Sequence, residues 1–148
     1  MSTQVNRAHL KKLRAVEEQR FLDLHKRSAA AFVDSEKVMH EGVPMSWMAK
    51  WPGAHPLFVK EAKGARFTDL DGHTYVDFCL GDTGSMTGHS PDATVAAIRE
   101  QVGKGITAML PTQDAAIVSQ LLKERFGLPL WQFTVSATDA NRHVIRYS

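Results

Sequence analysis

Ser136, Ala137, Thr138 and Asp139 follow a short apolar run, Trp131-Gln132-Phe133-Thr134-Val135, and open a stretch of helical character. A strand that turns sharply into a helix presents several amide N–H groups without intrahelical acceptors. Together with the positive end of the helix dipole, these suit an anion. The hydroxyls of Ser136 and Thr138 add donors, so a phosphate ester needs no lysine there. The same residue types are ordinary helix caps. Local chemistry leaves both readings open.

Other groups invite attention. His89 follows Gly88 and offers an acid–base ring, but its expected work is to satisfy loop backbone. Cys79, the single cysteine, lies beside an apolar strand and is expected to be buried and inert. The loop 81–90, GDTGSMTGHS, is rich in glycine and hydroxyls and matches neither the Lys-Ser/Thr phosphate loop nor the dinucleotide pattern. Trp47, Met48 and Trp51 lie in a segment broken by Gly42, Pro44, Pro52, Gly53 and Pro56. They read as packing groups or as a pocket wall. The string Asp69-Leu70-Asp71-Gly72 resembles part of a calcium loop, but Phe67 and Phe78 stand at the first and the bidentate ligand positions, which excludes it.

The elements that position these groups follow from periodicity. Leu10, Leu13, Val16, Phe21 and Leu24 recur at helical spacing and predict one helix over 4–33. Leu57-Phe58-Val59 predicts a short strand. Residues 66–70 and 73–78 alternate around Asp71-Gly72, the residue pair that best supports a tight hairpin. Ser90 and Pro91 predict a helix start, with Val95, Ile98 and Val102 inward and Gly103 and Gly105 at the stop. Thr112 predicts the cap of another helix, ended by Gly127 and Pro129. Residues 131–135 then predict a strand and 139–148 a helix still under way. One strand without a later neighbour leaves its backbone groups unpaired, so the chain reads as the front piece of a larger α/β enzyme with an incomplete sheet.

Composition excludes several classes. The 148 residues are 43% apolar and 23% charged, as in an ordinary folded domain, and the net charge of +2 is too small to suggest a nucleic-acid partner. The basic excess is confined to residues 1–37 and reads as a solvated helix face. One cysteine permits no internal disulfide, and no secretory signal or membrane-length apolar run is visible. A cytoplasmic setting is the expectation.

Four strings in order resemble one family. SATDAN is similar to the S-G-T-E-A-N string of class III (ω-type) aminotransferases, which are fold type I enzymes using pyridoxal 5'-phosphate. FTDLDGHTYVDF resembles that family's hairpin, GHSPDATVAAIREQVGKG its Gly-His-and-helix segment, and GVPMSW the Gly-Val loop of glutamate-1-semialdehyde aminomutases and related transaminases. Order and spacing agree from about Gly42 to Ser148.

The resemblance implies a fold and a site. The expected fold is an N-terminal segment plus the beginning of the large domain of a fold type I transferase. Residues 1–40 would be a helical segment, 41–90 an irregular loop, hairpin and Gly-rich loop, and 91–148 the start of the cofactor-binding domain. Ser136, Ala137 and Thr138 would contact the cofactor phosphate. Trp47, Asp82 and Thr83 would lie toward the substrate, a small-molecule amino donor or carbonyl acceptor. A homodimer would complete the site. The Schiff-base lysine, the acid facing the pyridine nitrogen and the stacking aromatic would lie beyond residue 148, since no lysine here has a matching context. Ala137 replaces the usual Gly, with an expected strain if φ is positive, and Asp139 replaces Glu. Asp82 stands where the aminomutases tend to carry an aromatic residue, which argues against a strict aminomutase and leaves the substrate open. The alternatives are an aminomutase, or a non-catalytic remnant or dimerisation module.

Overall fold

The computed structural model describes residues 5–82 and 84–148. Thr83, expected near the substrate, lies outside the described residues. The chain divides into two units, residues 1–100 and 101–148, with the boundary inside one helix.

The first unit opens with α1, Arg7–Leu24, capped by Asn6, whose side chain accepts from the His9 N–H at 3.0 Å. It ends at His25, and α2, Lys26–Glu36, follows at once. The expected single helix over 4–33 is therefore two, although no glycine or proline marks the break. The cause lies in the hairpin turn. Asp71 Oδ1 accepts from the Arg27 N–H at 2.7 Å, and Oδ2 accepts from the Ser28 N–H and hydroxyl, each at 3.1 Å. The first amides of a helix lack intrahelical acceptors, and a carboxylate there satisfies them and complements the dipole. Arg27 returns a bond from its guanidinium to the Leu70 carbonyl at 3.0 Å.

The sheet is antiparallel in the order β1, Val59–Lys63; β2, Arg66–Asp69; β3, Thr74–Val76. The expected hairpin forms, with Phe67 opposite Tyr75 and Gly72 at φ +94°, a value that favours glycine. The strand expected at 57–59 is instead Val59–Lys63, whose charges hid it from a reading by apolar runs. Ser90 does not cap the next helix. Its φ is +48°, its hydroxyl donates to the Ala62 carbonyl at 3.0 Å, and α3, Asp92–Val102, starts after Pro91. Lys63 pairs with Asp92 and donates to the Ser90 carbonyl, tying this helix start to β1.

Trp47 sits in a 3-10 turn, Ser46–Ala49, and is 61% exposed, so packing inside this unit does not account for it. The interior is polar. Among the described residues Val43 is the buried large apolar side chain, while His25, Ser28, His55 and Asp69 are buried with it.

The second unit holds α4, Gln113–Phe126, and α5, Ala137–Tyr147. Thr112 occupies the cap position of α4 without a side-chain bond, and Gly127 ends the helix at φ +72°. The strand expected at 131–135 is not formed. A strand exists by its ladder, and among the described residues no segment pairs with this one. Val135 is left almost wholly exposed. No described helix is long and apolar enough to cross a membrane.

Candidate functional site

Ser136, Ala137 and Thr138 come together at the start of α5. Ser136 has extended backbone, and its hydroxyl oxygen accepts from the Asp139 N–H at 3.2 Å while donating to the Asp139 carboxylate, also at 3.2 Å. Ser136 caps the helix in the ordinary way, and Asp139 answers through the Ser136 hydroxyl rather than through the backbone N–H that a capping box would use. The Ala140 N–H reaches the Ser136 carbonyl at 3.0 Å. The N–H groups of Ala137 and Thr138 and the Thr138 hydroxyl meet no acceptor or donor among the described residues. Two open amides and one open hydroxyl at the positive end of a helix suit the oxygens of a phosphate. Ala137 is the first helical residue and is absent from the positive-φ residues, so the expected strain does not arise.

In the first unit, Asp82 is exposed at φ +52° in the loop that follows β3. Leu80 in the same loop, at φ +51°, and Ser90 after it, at φ +48°, are equally unusual for non-glycine residues. Backbone held in this region persists where the surroundings over-determine it, and it clusters at functional sites. Trp47 lies on a separate segment of the same unit. Cys79 is exposed rather than buried. Its N–H and that of Leu80 are taken by Asp77 Oδ1, each at 2.9 Å. His89 binds a carboxylate, not loop backbone, through its ring: Nε2 lies 2.6 Å from Asp77 Oδ2. The His89 ring contact and the two amides hold the Asp77 carboxyl below the usual range. The Asp77–His89 pair was not read from the sequence, though both residues lie in the quoted strings, in Tyr-Val-Asp and Gly-His.

A second polar cluster sits beneath the hairpin. Asp69 is fully buried and accepts from the His73 N–H at 2.8 Å and from the Tyr75 hydroxyl at 3.0 Å. His25 Nε2 meets the same hydroxyl at 2.7 Å, and Nδ1 meets the Phe21 carbonyl at 2.7 Å. Burial alone would raise the Asp69 carboxyl, but the His73 amide and the Tyr75 hydroxyl outweigh it and hold it below its ordinary value. Tyr75 is pushed up to about 12 by burial and by the Asp69 carboxylate. The ligand atoms of His25, Asp69 and His73 lie within 4.8 Å of one another, a spacing a metal ion could use. Asp69 is bonded to His73 and to Tyr75, and His25 to Tyr75, so hydrogen bonds already engage all three groups.

No family model matches the chain. Curated relatives do. A glutamate-1-semialdehyde 2,1-aminomutase from Thermoplasma volcanium is 39% identical over 94 residues, which is 62% of this chain and 22% of the relative. Another, from Listeria monocytogenes serotype 4a, is 30% identical over 127 residues, 84% of this chain and 30% of the relative. Among solved structures, a glutamate-1-semialdehyde-aminomutase from Pseudomonas aeruginosa PAO1 superposes with a TM-score of 0.87 at 52% identity, over 94% of this chain and 31% of that one. A variant of it was solved in complex with PMP. A β-phenylalanine aminotransferase from Variovorax paradoxus superposes with a TM-score of 0.82 at 28% identity, over 89% of this chain and 30% of that one. The chain is a relative of the class III, fold type I pyridoxal-phosphate aminotransferases. Within that class its likeness includes proteins named as glutamate-1-semialdehyde aminomutases, and it spans 22% to 31% of the relatives described here.

Proposed function

We propose that this chain supplies the phosphate cup and the substrate-side loop of a pyridoxal-phosphate-dependent aminotransferase that moves an amino group between an amino compound and a carbonyl compound. The likeness to the Pseudomonas aeruginosa structure supports the class. The observation that carries the cofactor reading is the start of α5, where the residues fit a phosphate. The N–H groups of Ala137 and Thr138 and the Thr138 hydroxyl would bind it, and Ser136 would hold the turn in place through Asp139. Pyridoxal phosphate, when bound, supplies the electron sink for bonds breaking at the carbon that bears the amino group. In this reading Trp47, Asp82 and Thr83 orient the substrate, and a second copy of the complete protein completes the site. Residues 1–40 form the helical segment, 41–90 the hairpin and substrate loop, and 91–148 open the cofactor domain, in a cytoplasmic protein.

A titration of the chain with inorganic phosphate, followed through the amide resonances of Ala137 and Thr138, tests the cup. Saturable shifts centred on those two amides are expected. Shifts spread over the basic residues of α1 instead would overturn it. For the complete protein, a reading frame that continues without a lysine and a ring-facing acid would remove the catalytic reading. An aminomutase is the second reading, favoured by the names of the curated relatives.

A further inference from the structure

We propose that Asp77 and His89 are positioning residues that clamp the two ends of the loop 79–88 and so set where Asp82 stands. The inference rests on the reading of that loop as the substrate side.

One carboxylate holds both ends. Asp77 Oδ1 takes the N–H groups of Cys79 and Leu80, each at 2.9 Å, as the loop leaves β3. Asp77 Oδ2 takes His89 Nε2 at 2.6 Å, where the loop returns. The same His89 is fixed by its backbone, which exchanges two bonds with Gly64 at 2.8 and 2.9 Å in the turn between β1 and β2. The Asp77 N–H in turn donates to the Ala65 carbonyl at 2.9 Å. Carboxylate, ring and β-turn thus form one closed circuit.

The approach is tight where the circuit closes. Gly88 has φ +88°, and a Cβ placed on it would come within 3.2 Å of the Gly64 Cα. A side chain there would push the loop away from the turn. Inside the circuit, Leu80 and Asp82 both hold positive φ, a conformation that L-residues leave unless the surroundings enforce it. The amides at the loop start are among the groups that enforce it. Asp82 N–H bonds the Cys79 carbonyl at 3.1 Å and Ser85 N–H the Leu80 carbonyl at 2.8 Å, so a Cys79-Leu80 backbone released from Asp77 carries Asp82 with it. The carboxylate and the ring are 12% and 19% exposed, so the pair acts from behind the loop.

The test uses residue-resolved amide exchange on the chain, as wild type, His89→Ala and His89→Gln. Gln offers a donor for Asp77 Oδ2 and Ala does not. Protection at Asp82 and Ser85 is expected to fall at least tenfold in His89→Ala and to return to within threefold of wild type in His89→Gln, with α1 and α2 unchanged. A uniform loss across the first unit in both variants, or no loss at 82 and 85, overturns the clamp. Should His89→Ala not fold, His89→Gln decides: loop protection kept supports the clamp, and loop protection lost while the sheet stays protected overturns it. In the complete enzyme, His89→Ala is expected to raise KM for the amino substrate about tenfold with a smaller change in kcat. Lost loop protection with KM unmoved would leave the clamp standing and sink the substrate-side reading of the loop.

Discussion

Asp71 caps a helix that it does not belong to: its Oδ2 accepts both the N–H and the hydroxyl of Ser28, each at 3.1 Å, across 43 residues of sequence. Burial would raise this carboxyl, but the amides of Arg27 and Ser28 outweigh that and hold it below its ordinary value. The first prediction follows. Asp71→Ala removes the cap and should destabilise the first unit by about 1–2 kcal/mol, the range for losing a helix cap. Chemical denaturation followed by circular dichroism measures it. A midpoint equal to wild type would show that the bond is ornamental.

Tyr75 is the hinge of the buried cluster, since its hydroxyl meets both Asp69 and His25. Tyr75→Phe keeps the ring stacked on Phe67 but leaves two buried partners short of a bond. A loss of about 1–3 kcal/mol is expected, the cost of leaving a buried polar group unsatisfied. Phe67→Leu, which removes stacking and no hydrogen bond, is the comparison. A larger loss there than in Tyr75→Phe would assign the stability to the rings.

The acid limb of stability has a defined sign. Asp69, Asp71 and Asp77 are all held below the ordinary carboxylate value in the folded chain. The unfolded chain therefore binds more protons, so stability is full above the unfolded value of about 4 and is lost as pH falls through the lower folded values. Tyr75 works in the opposite direction. Its hydroxyl is raised to about 12, so its contribution is complete below about pH 10 and disappears as pH rises toward 12. Unfolding free energies from pH 2 to 12 should show both falls. An acid limb that begins near pH 6.5 would point to histidine titration in place of these carboxyls.

At α5, Ser136→Ala should cost the helix about 1 kcal/mol by removing the cap. Ala137→Gly should bring no stabilisation, because residue 137 has helical backbone and glycine costs up to about 1 kcal/mol in a helix. Secondary chemical shifts over Ala137–Tyr147 report both. A gain in helicity for Ala137→Gly would restore the strain argument.

The features legible in the sequence were those set by near neighbours. Asp71-Gly72 between two alternating runs marks the hairpin, because the turn needs only its own residues. Ser136 marks the start of α5 because its cap bond spans three residues. The break at His25 was not legible, since nothing local opposes one continuous helix and the cap comes from the hairpin. The clamp of loop 79–88 was hidden for the same reason: Asp77 and His89 are 12 residues apart and each has an ordinary role in isolation. The strand expected at 131–135 shows the converse. Residue type supplied strand propensity, but a ladder needs a partner, and propensity carries no information about one.

The remote cap of α2 also bears on the order in which the chain can become itself on the ribosome. Lys26–Glu36 leaves the ribosome before Asp71 does, and until then its first amides have no carboxylate to meet. The nascent segment can lengthen α1 through His25 as one rod. Only when the Asp71-Gly72 turn has formed is there a carboxylate to receive the amides of Arg27 and Ser28 and favour a second helix start.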